Sequence, residues 1–317
     1  MKLLVVIPAL NEAATLADVI AAIPRGMADV DEVEVLVVDD GSTDATGEVA
    51  RAAGATVVHH ARNRGVGAAF QTGLAAALER GADLIVNMDA DGQFDPAGIP
   101  QLVAPILEGR AEMTTCTRFA RPDLVPRMPW IKKWGNRMMC RLVNWICWGG
   151  GYTDVSCGFR AYNRDTALRL TLFGQFTYTQ ETFVDLIAKG IAIAEVPLPV
   201  RGVRAVGDSR VASNLPTYAA RTASIILRVA RDVRPLAFFG GLGAILLTLG
   251  VICGGTVFGW WLFTGHTSPI RSVLFGATVF LILGFLVIVL ALLADMLGRQ
   301  RILMQEVLFR LRSKERR

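Results

Sequence analysis

The chain opens with an apolar run, Leu3 to Ile7, that stops at Pro8 and gives way to the polar turn Ala9-Leu10-Asn11-Glu12. The pattern recurs. Val33 to Val38 ends in Asp39-Asp40-Gly41-Ser42-Thr43-Asp44, Thr56 to Val58 leads towards Asn63-Arg64-Gly65-Val66-Gly67, and Leu84-Ile85-Val86 runs into Met88-Asp89-Ala90-Asp91-Gly92-Gln93. Short apolar runs bounded by Gly, Pro, Asn and Asp predict buried strands. Helices are predicted between them, from Asn11-Glu12 to about Ile23, from about Ala45 to Ala53 and from Gly67 to Arg80. Strands alternating with helices at this spacing predict βαβ units, hence an α/β fold with a parallel sheet covered on both faces. Ligands of such sheets bind beyond the carboxyl ends of the strands. The four polar turns therefore fall on one edge of one sheet.

Further along, Glu112 to Thr117 reads as another strand, ending at Arg118. Met128 to Trp148 then reads as one helix holding four tryptophans (Trp130, Trp134, Trp145, Trp148) and four bases (Lys132, Lys133, Arg137, Arg141). Interleaved indoles and cations favour a bilayer interface; the alternative is a helix packed on the sheet with snorkelling bases. Asn214 to Asp232 is a second amphipathic candidate. Pro235 to Phe263 and Ser272 to Ala294 contain no charged residue. As helices they reach roughly 43 and 34 Å, enough to cross a hydrocarbon core of about 30 Å, so they predict a transmembrane hairpin. Arg221, Arg228, Arg231 and Arg234 precede the first span and Arg299, Arg301, Arg310, Arg312, Lys314, Arg316 and Arg317 follow the second, against Arg271 alone between them. By the positive-inside rule both ends of the chain are expected in the cytoplasm. The first span also carries Gly250-x-x-x-Gly254 and Gly255-x-x-x-Gly259, a spacing that suits close helix packing, within the hairpin or in a homo-oligomer.

Composition changes this picture little. The 52% hydrophobic content is high, its excess is local to the two spans, and the net charge of +5 suggests an anionic membrane surface before nucleic acid. Five cysteines without a Cys-x-x-Cys pair indicate neither a disulfide frame nor a zinc site, and three histidines, with His59-His60 at a strand end, offer no metal cluster. The apolar start is broken at Pro8 and Asn11, too early for a signal peptide.

The chemistry is expected at Asp89 and Asp91. A turn after a strand lets two carboxylates one residue apart serve a single hard cation, Mg²⁺ or Mn²⁺, with water and substrate phosphate completing the shell. The plainer reading makes them turn formers. There is no GxxxxGK[ST], which excludes a P-loop, and the first strand leads into Pro8-Ala9-Leu10-Asn11-Glu12 instead of a glycine fingerprint, which argues against a dinucleotide. Asp39 and Glu12 are suited to hydrogen-bond a base or ribose.

Taken together, these stretches resemble the family 2 glycosyltransferases of GT-A fold, and within them the polyprenyl-phosphate (dolichol-phosphate type) mannosyl- and glucosyltransferases. The resemblance runs from Pro8-x-x-Asn11-Glu12 through the Asp39, Asn63 and Met88 stretches to Asp154-Val155-Ser156-Cys157-Gly158-Phe159-Arg160 and Arg204-x-x-Gly207-Asp208-Ser209-Arg210. It covers about the first 210 residues. It implies a Rossmann-like nucleotide-diphospho-sugar transferase domain over residues 1–212; the hydropathy and charge pattern adds a juxtamembrane helix at 213–234, two spans within 235–297 and a basic tail at 298–317. By the family's pattern Pro8, Glu12, Asp39, Ala90 and Arg118 hold the nucleotide sugar, Asp89, Asp91 and Gln93 the metal, and Arg204, Ser209 and Arg210 the acceptor phosphate. Asp154 and Glu181 match acidic positions expected to place sugar or acceptor. Leu10 stands where an aromatic is frequent and Arg210 where lysine is usual.

The implied reaction moves one hexose from a nucleotide-diphosphate sugar, GDP-mannose or UDP-glucose, to a polyprenyl (dolichyl or undecaprenyl) phosphate, with inversion. The implied partners are that donor, that lipid and the bilayer, and no nucleic acid. The rival expectations are a family 2 transferase with another acceptor and a non-catalytic nucleotide-sugar-binding membrane subunit. A processive synthase fits less well, because two spans are few and no Gln-x-x-Arg-Trp follows.

Overall fold

The structure, a computed structural model, describes residues 1–126, 128, 130–146, 150–171, 178–201, 231 and 234–315. The chain divides into two compact units, Met1–Ala220 together with Gln305–Arg317, and Arg221–Met304.

The first unit is built on a seven-stranded sheet. Its strands are β1 (Lys2–Ala9), β2 (Glu32–Asp39), β3 (Thr56–His59), β4 (Leu84–Asn87), β5 (Met113–Thr117), β6 (Arg160–Asn163) and β7 (Ile193–Pro197), in the order β3-β2-β1-β4-β6-β5-β7. β1 lies between β2 and β4, and Leu3, Leu4, Val5 and Ile7 are wholly buried, which is why the opening run is apolar without alternation. The helices are α1 (Ala13–Ala21), α2 (Thr46–Ala52), α3 (Val66–Glu79), α4 (Ile99–Leu107), α5 (Trp130–Ile146), α6 (Arg164–Arg169) and α7 (Tyr178–Ala188). Strands and helices expected in the first half of the unit fall within a few residues of these bounds.

The sheet is not all parallel. β6 pairs antiparallel with both β4 and β5, while β5 and β7 are parallel. The expectation of a parallel sheet is thus corrected in its second half, where a strand of only four residues, Arg160–Asn163, is inserted in reverse. The reversal decides where the site lies. β1, β2, β4, β5 and β7 all point their carboxyl ends to one edge, and β6 begins there, so the residues just before β6 join the loops that follow the other strands.

The end of the last helix also belongs to this unit. Arg169 at the end of α6 pairs with Glu306 at 3.2 Å and lies over the Phe309 ring at 3.9 Å, and Arg312 donates to the Leu168 carbonyl at 3.3 Å.

The second unit contains two long helices, α8 (Pro235–Thr264) and the start of α9 (Arg271–Glu315). Both are long and apolar enough to cross a membrane. α9 continues well past Ala294, so the expected tail is helical through Glu315. The two helices meet at glycines. A Cβ on Gly243 would lie 3.0 Å from the Gly284 carbonyl, and one on Gly250 would lie 2.8 Å from Leu281. Gly255 and Gly259, the second glycine pair of the sequence pattern, face nothing within 4 Å.

The turn after β2 depends on Gly41. Its φ is +76°, and a Cβ there would come within 2.7 Å of the backbone at Arg62 and Asn63. Neither the angle nor the space admits a side chain. Gly41→Ala is expected to cost about 1–3 kcal/mol, read as a lower unfolding midpoint of the detergent-solubilised chain; an unchanged midpoint would mean that this turn relaxes freely.

Candidate active site at the sheet edge

The loops after β1 and β2 are laced together by side chains that cap backbone groups. The Asn11 amide donates to Ser42 Oγ at 2.9 Å, the Thr43 amide to Asn11 Oδ1 at 2.8 Å, and the Glu12 amide to Thr46 Oγ1 at 2.9 Å. Asp39 ends β2 buried. Its Oδ1 accepts from the Ser42 amide at 2.9 Å, and its Oδ2 lies 3.0 Å from His59 Nδ1. Burial works against the Asp39 charge, but the hydrogen bonds from Ser42 and His59 outweigh it and hold its pKa below the usual 3.8. Its neighbour Asp40 serves the next loop, accepting from the Arg64 and Gly65 amides at 3.0 and 2.8 Å and meeting His60 Nδ1 at 2.7 Å. The two adjacent aspartates thus divide their work between the β2 and β3 turns. His59 and His60, expected only as strand-end residues, are their partners.

The acidic loop follows β4. Asp89 is half-buried and Asp91 buried, and Asp91 Oδ1 accepts from the Gln93 amide at 3.1 Å. Two contacts tie this loop to its neighbours. Thr15 of α1 donates its hydroxyl to the Ala90 carbonyl at 2.8 Å, and the Arg201 amide donates to the Gln93 carbonyl at 3.0 Å beyond β7. Gly158 makes the room, since a Cβ there would lie 3.2 and 3.3 Å from the two Asp89 carboxylate oxygens and 3.0 Å from the Tyr178 hydroxyl. Asn87 donates to both the Gly158 carbonyl and the Tyr178 hydroxyl at 2.9 Å. Burial, with the nearby Asp89 charge, pushes the Tyr178 pKa well above 10.0, so the phenol stays protonated.

Two carboxylates and a carboxamide from one loop form an all-oxygen donor set, which suits Mg²⁺ or Mn²⁺. Among the described residues no group of three or more His, Cys, Asp or Glu forms a self-sufficient metal cage. A cation on Asp89, Asp91 and Gln93 therefore needs oxygens from phosphate and water to complete its shell.

The third part of the edge is an ion pair. Arg118, directly after β5, grips Asp154 with Nε to Oδ2 at 2.6 Å and Nη2 to Oδ1 at 3.0 Å. Asp154 is fully buried and the Arg118 side chain 19% exposed. Burial opposes the guanidinium charge, yet the Asp154 bonds more than offset it and keep Arg118 protonated. Glu195 of β7 supports the pair from behind, accepting the Thr153 and Asp154 amides at 2.8 Å each. Burial raises the Glu195 pKa above 4.5.

Of the residues expected from sequence, Pro8, Glu12, Asp39, Asp89, Ala90, Asp91, Gln93, Arg118 and Asp154 all lie at this edge. Glu181 lies one helical turn beyond Tyr178 on α7. Arg204, Ser209 and Arg210, and the candidate helix Asn214 to Asp232 apart from Arg231, lie outside the described residues. Sequence reasoning missed Glu195, Tyr178 and Asn87. Only Glu195 left a trace, as a lone charge in the apolar run of β7.

A mixed α/β sheet with an acidic loop among the polar turns on its carboxyl edge is the architecture of a GT-A class transferase. The family pattern described as Glycosyl transferase family 2 matches residues 4–170, and the chain belongs to that family. It is 30% identical over 227 residues to undecaprenyl-phosphate mannosyltransferase of Micrococcus luteus, covering 68% of this chain and 89% of that one. It is 29% identical over 211 residues to polyprenol monophosphomannose synthase of Mycolicibacterium smegmatis, covering 62% and 76%. Among solved structures it resembles glucosyl-3-phosphoglycerate synthase from Mycobacterium tuberculosis in complex with Mn²⁺ and UDP-glucose, with a TM-score of 0.55 and 28% identity over 72% of this chain and 78% of that one. The protein is a glycosyltransferase.

Asp154→Asn removes the charge that faces Arg118 across this pair. Breaking a buried pair by losing one partner costs about 3 kcal/mol, so the unfolding midpoint is expected to fall clearly while Arg118→Lys, which keeps the charge but loses the fork, falls less. Equal midpoints for Asp154→Asn and the native chain would assign the pair no net stability.

Proposed function

We propose that this chain transfers a single hexose, mannose or glucose, from its nucleotide diphosphate to the phosphate of a membrane polyprenol, with inversion and on the cytoplasmic face. The observation that carries this reading is the acidic loop sharing one sheet edge with the nucleoside-type turns, in a chain that also holds two helices apolar enough to span a bilayer. The polyprenyl-phosphate acceptors named for the M. luteus and M. smegmatis relatives support the lipid.

In this reading Pro8, Glu12 and Asp39 hold the nucleoside. Asp39 enters with its charge fixed by Ser42 and His59, so it is ready to accept hydrogen bonds from a base without reorganising. Asp89, Asp91 and Gln93 hold Mg²⁺ or Mn²⁺, which when bound neutralises charge building on the diphosphate as a Lewis acid. Arg118, kept rigid by Asp154, presents its remaining donors to phosphate, and Glu181 faces sugar or acceptor. Arg204, Ser209 and Arg210 take the acceptor phosphate by charge-assisted hydrogen bonds.

The bond formed joins the sugar C1 to an acceptor phosphate oxygen, and the bond broken releases the nucleoside diphosphate. An acceptor phosphate with a second pKa of about 6 is already largely dianionic at neutral pH, so no proton need be removed. This accounts for a site whose histidines are committed to aspartates. Attack from the face opposite the leaving group inverts the anomeric centre. The basic residues flanking the spans support the cytoplasmic orientation.

A second acceptor class follows from glucosyl-3-phosphoglycerate synthase, whose complexes contain phosphoglyceric acid, a small soluble phosphate. The spans favour the lipid. The test is a transfer assay with the full chain in detergent, Mg²⁺ or Mn²⁺, a short polyprenyl phosphate and a panel of radiolabelled GDP- and UDP-sugars, beside phosphoglycerate. A labelled lipid with one donor, reduced at least about 100-fold in Asp91→Ala, is expected. Label in phosphoglycerate would move the reading to a soluble acceptor, and no label with any acceptor, despite nucleotide binding, to a non-catalytic subunit.

A further inference from the structure

α5 has two faces of opposite character. The inward face is tied to the chain entering Asp154: Asn136 donates to the Thr153 carbonyl at 3.2 Å, Cys140 Sγ lies 3.2 Å from the same oxygen, and at the border of the two faces Asn144 exchanges two hydrogen bonds with Tyr152 at 2.9 Å. Val143 and Met139 are buried on that side. The outward face carries Trp130, Trp134 and Trp145, which stand 73%, 57% and 54% exposed. At 100° per residue these three fall within about 60° of one another, with Arg141 between them and Lys133 and Arg137 alongside. All three cations are exposed, and none has an ion-pair partner among the described residues. No acidic residue occurs between Asp123 and Asp154.

Large exposed aromatics are uncommon on a surface that meets only water. An indole offers an apolar ring and one N–H, and beside cations it fits the level of lipid headgroups, where ring and charge are both satisfied. We infer that the Trp130–Trp134–Trp145 stripe of α5, flanked by Lys133, Arg137 and Arg141, is a docking surface for the headgroup layer of an anionic bilayer. Charge complementarity selects anionic lipid, and the two apolar helices of the same chain bring a bilayer within reach. The inward hydrogen bonds give the docking a consequence, because the residue they hold, Thr153, is adjacent to Asp154 of the pair with Arg118. Seating α5 on lipid thereby steadies the Arg118 side of the active site. This deepens the proposed reading and rests on it for the acceptor; the contact itself is measurable without any reaction.

The test uses the full chain in nanodiscs, carrying Trp148→Phe, Trp260→Phe and Trp261→Phe so that fluorescence reports α5. Lipids brominated near the headgroup are expected to quench about half or more of the emission in anionic nanodiscs, and lipids brominated at the chain ends far less, as suits a helix buried roughly 5–10 Å. Lys133→Gln with Arg137→Gln and Arg141→Gln is expected to abolish the dependence on anionic lipid. Should the span replacements unfold the chain, the same signal is read as the difference between the native chain and Trp130→Phe with Trp134→Phe. Indoles open to aqueous iodide and untouched by bromine would overturn the inference in favour of a solvated face. Indoles shielded from both would overturn it in favour of a protein partner or a second copy. Loss of transfer with quenching intact would strike the proposed reaction and leave the docking surface standing.

Discussion

The Arg118–Asp154 pair is the point at which this fold is most constrained. A fully buried carboxylate is tolerated only where its charge is matched and its oxygens are occupied, and here the match draws on β5, the entry to β6, β7 through Glu195 and α5 through Thr153. These four elements meet because β6 runs backwards between β4 and β5. Were that strand parallel, the stretch from Asp154 to Gly158 would emerge at the opposite edge of the sheet, and both the pair and the space beside Asp89 would be lost.

The other half of the edge is held by a different device. There the loops after β1, β2 and β3 are stitched by neutral caps and by Asp39 and Asp40, each spending oxygens on backbone amides. Such caps cost little to bury, since each carboxylate or hydroxyl oxygen is matched by a donor. The half assigned to the nucleoside is therefore preformed by local contacts, and the half assigned to phosphate is preformed by a long-range ion pair. Preformed donors and charges are what an enzyme needs where charge moves between two phosphates.

Much of this was legible in the sequence because βαβ units put apolar runs and their turns in register with strand ends. Pro8, Asp39, Asp89 and Asp91 were found by following each apolar run to the polar residues that end it. β6 escaped because four residues, Arg160–Asn163, carry too short a pattern and include a buried arginine, which bonds the Cys157, Thr179 and Val155 carbonyls. Glu195 escaped because its partner Thr153 is 42 residues away and no local spacing encodes that contact. In the sequence Gly158 is a motif glycine, and only in the fold is its missing side chain the space that Asp89 and Tyr178 use. The stripe on α5 was visible as composition, while its division into a lipid-type face and a face bonded to Tyr152 and Thr153 required the fold.

The central claim is that the Asp89–Asp91–Gln93 loop binds a divalent cation together with a nucleoside diphosphate, since the described residues alone supply too few ligands. The most direct measurement is electron paramagnetic resonance of Mn²⁺ titrated into the detergent-solubilised chain, with and without UDP or GDP, beside Asp91→Ala. Tight Mn²⁺ binding that needs the nucleotide and weakens at least about tenfold in Asp91→Ala is the predicted result. Mn²⁺ bound equally well without nucleotide, or unchanged in Asp91→Ala, would contradict the account.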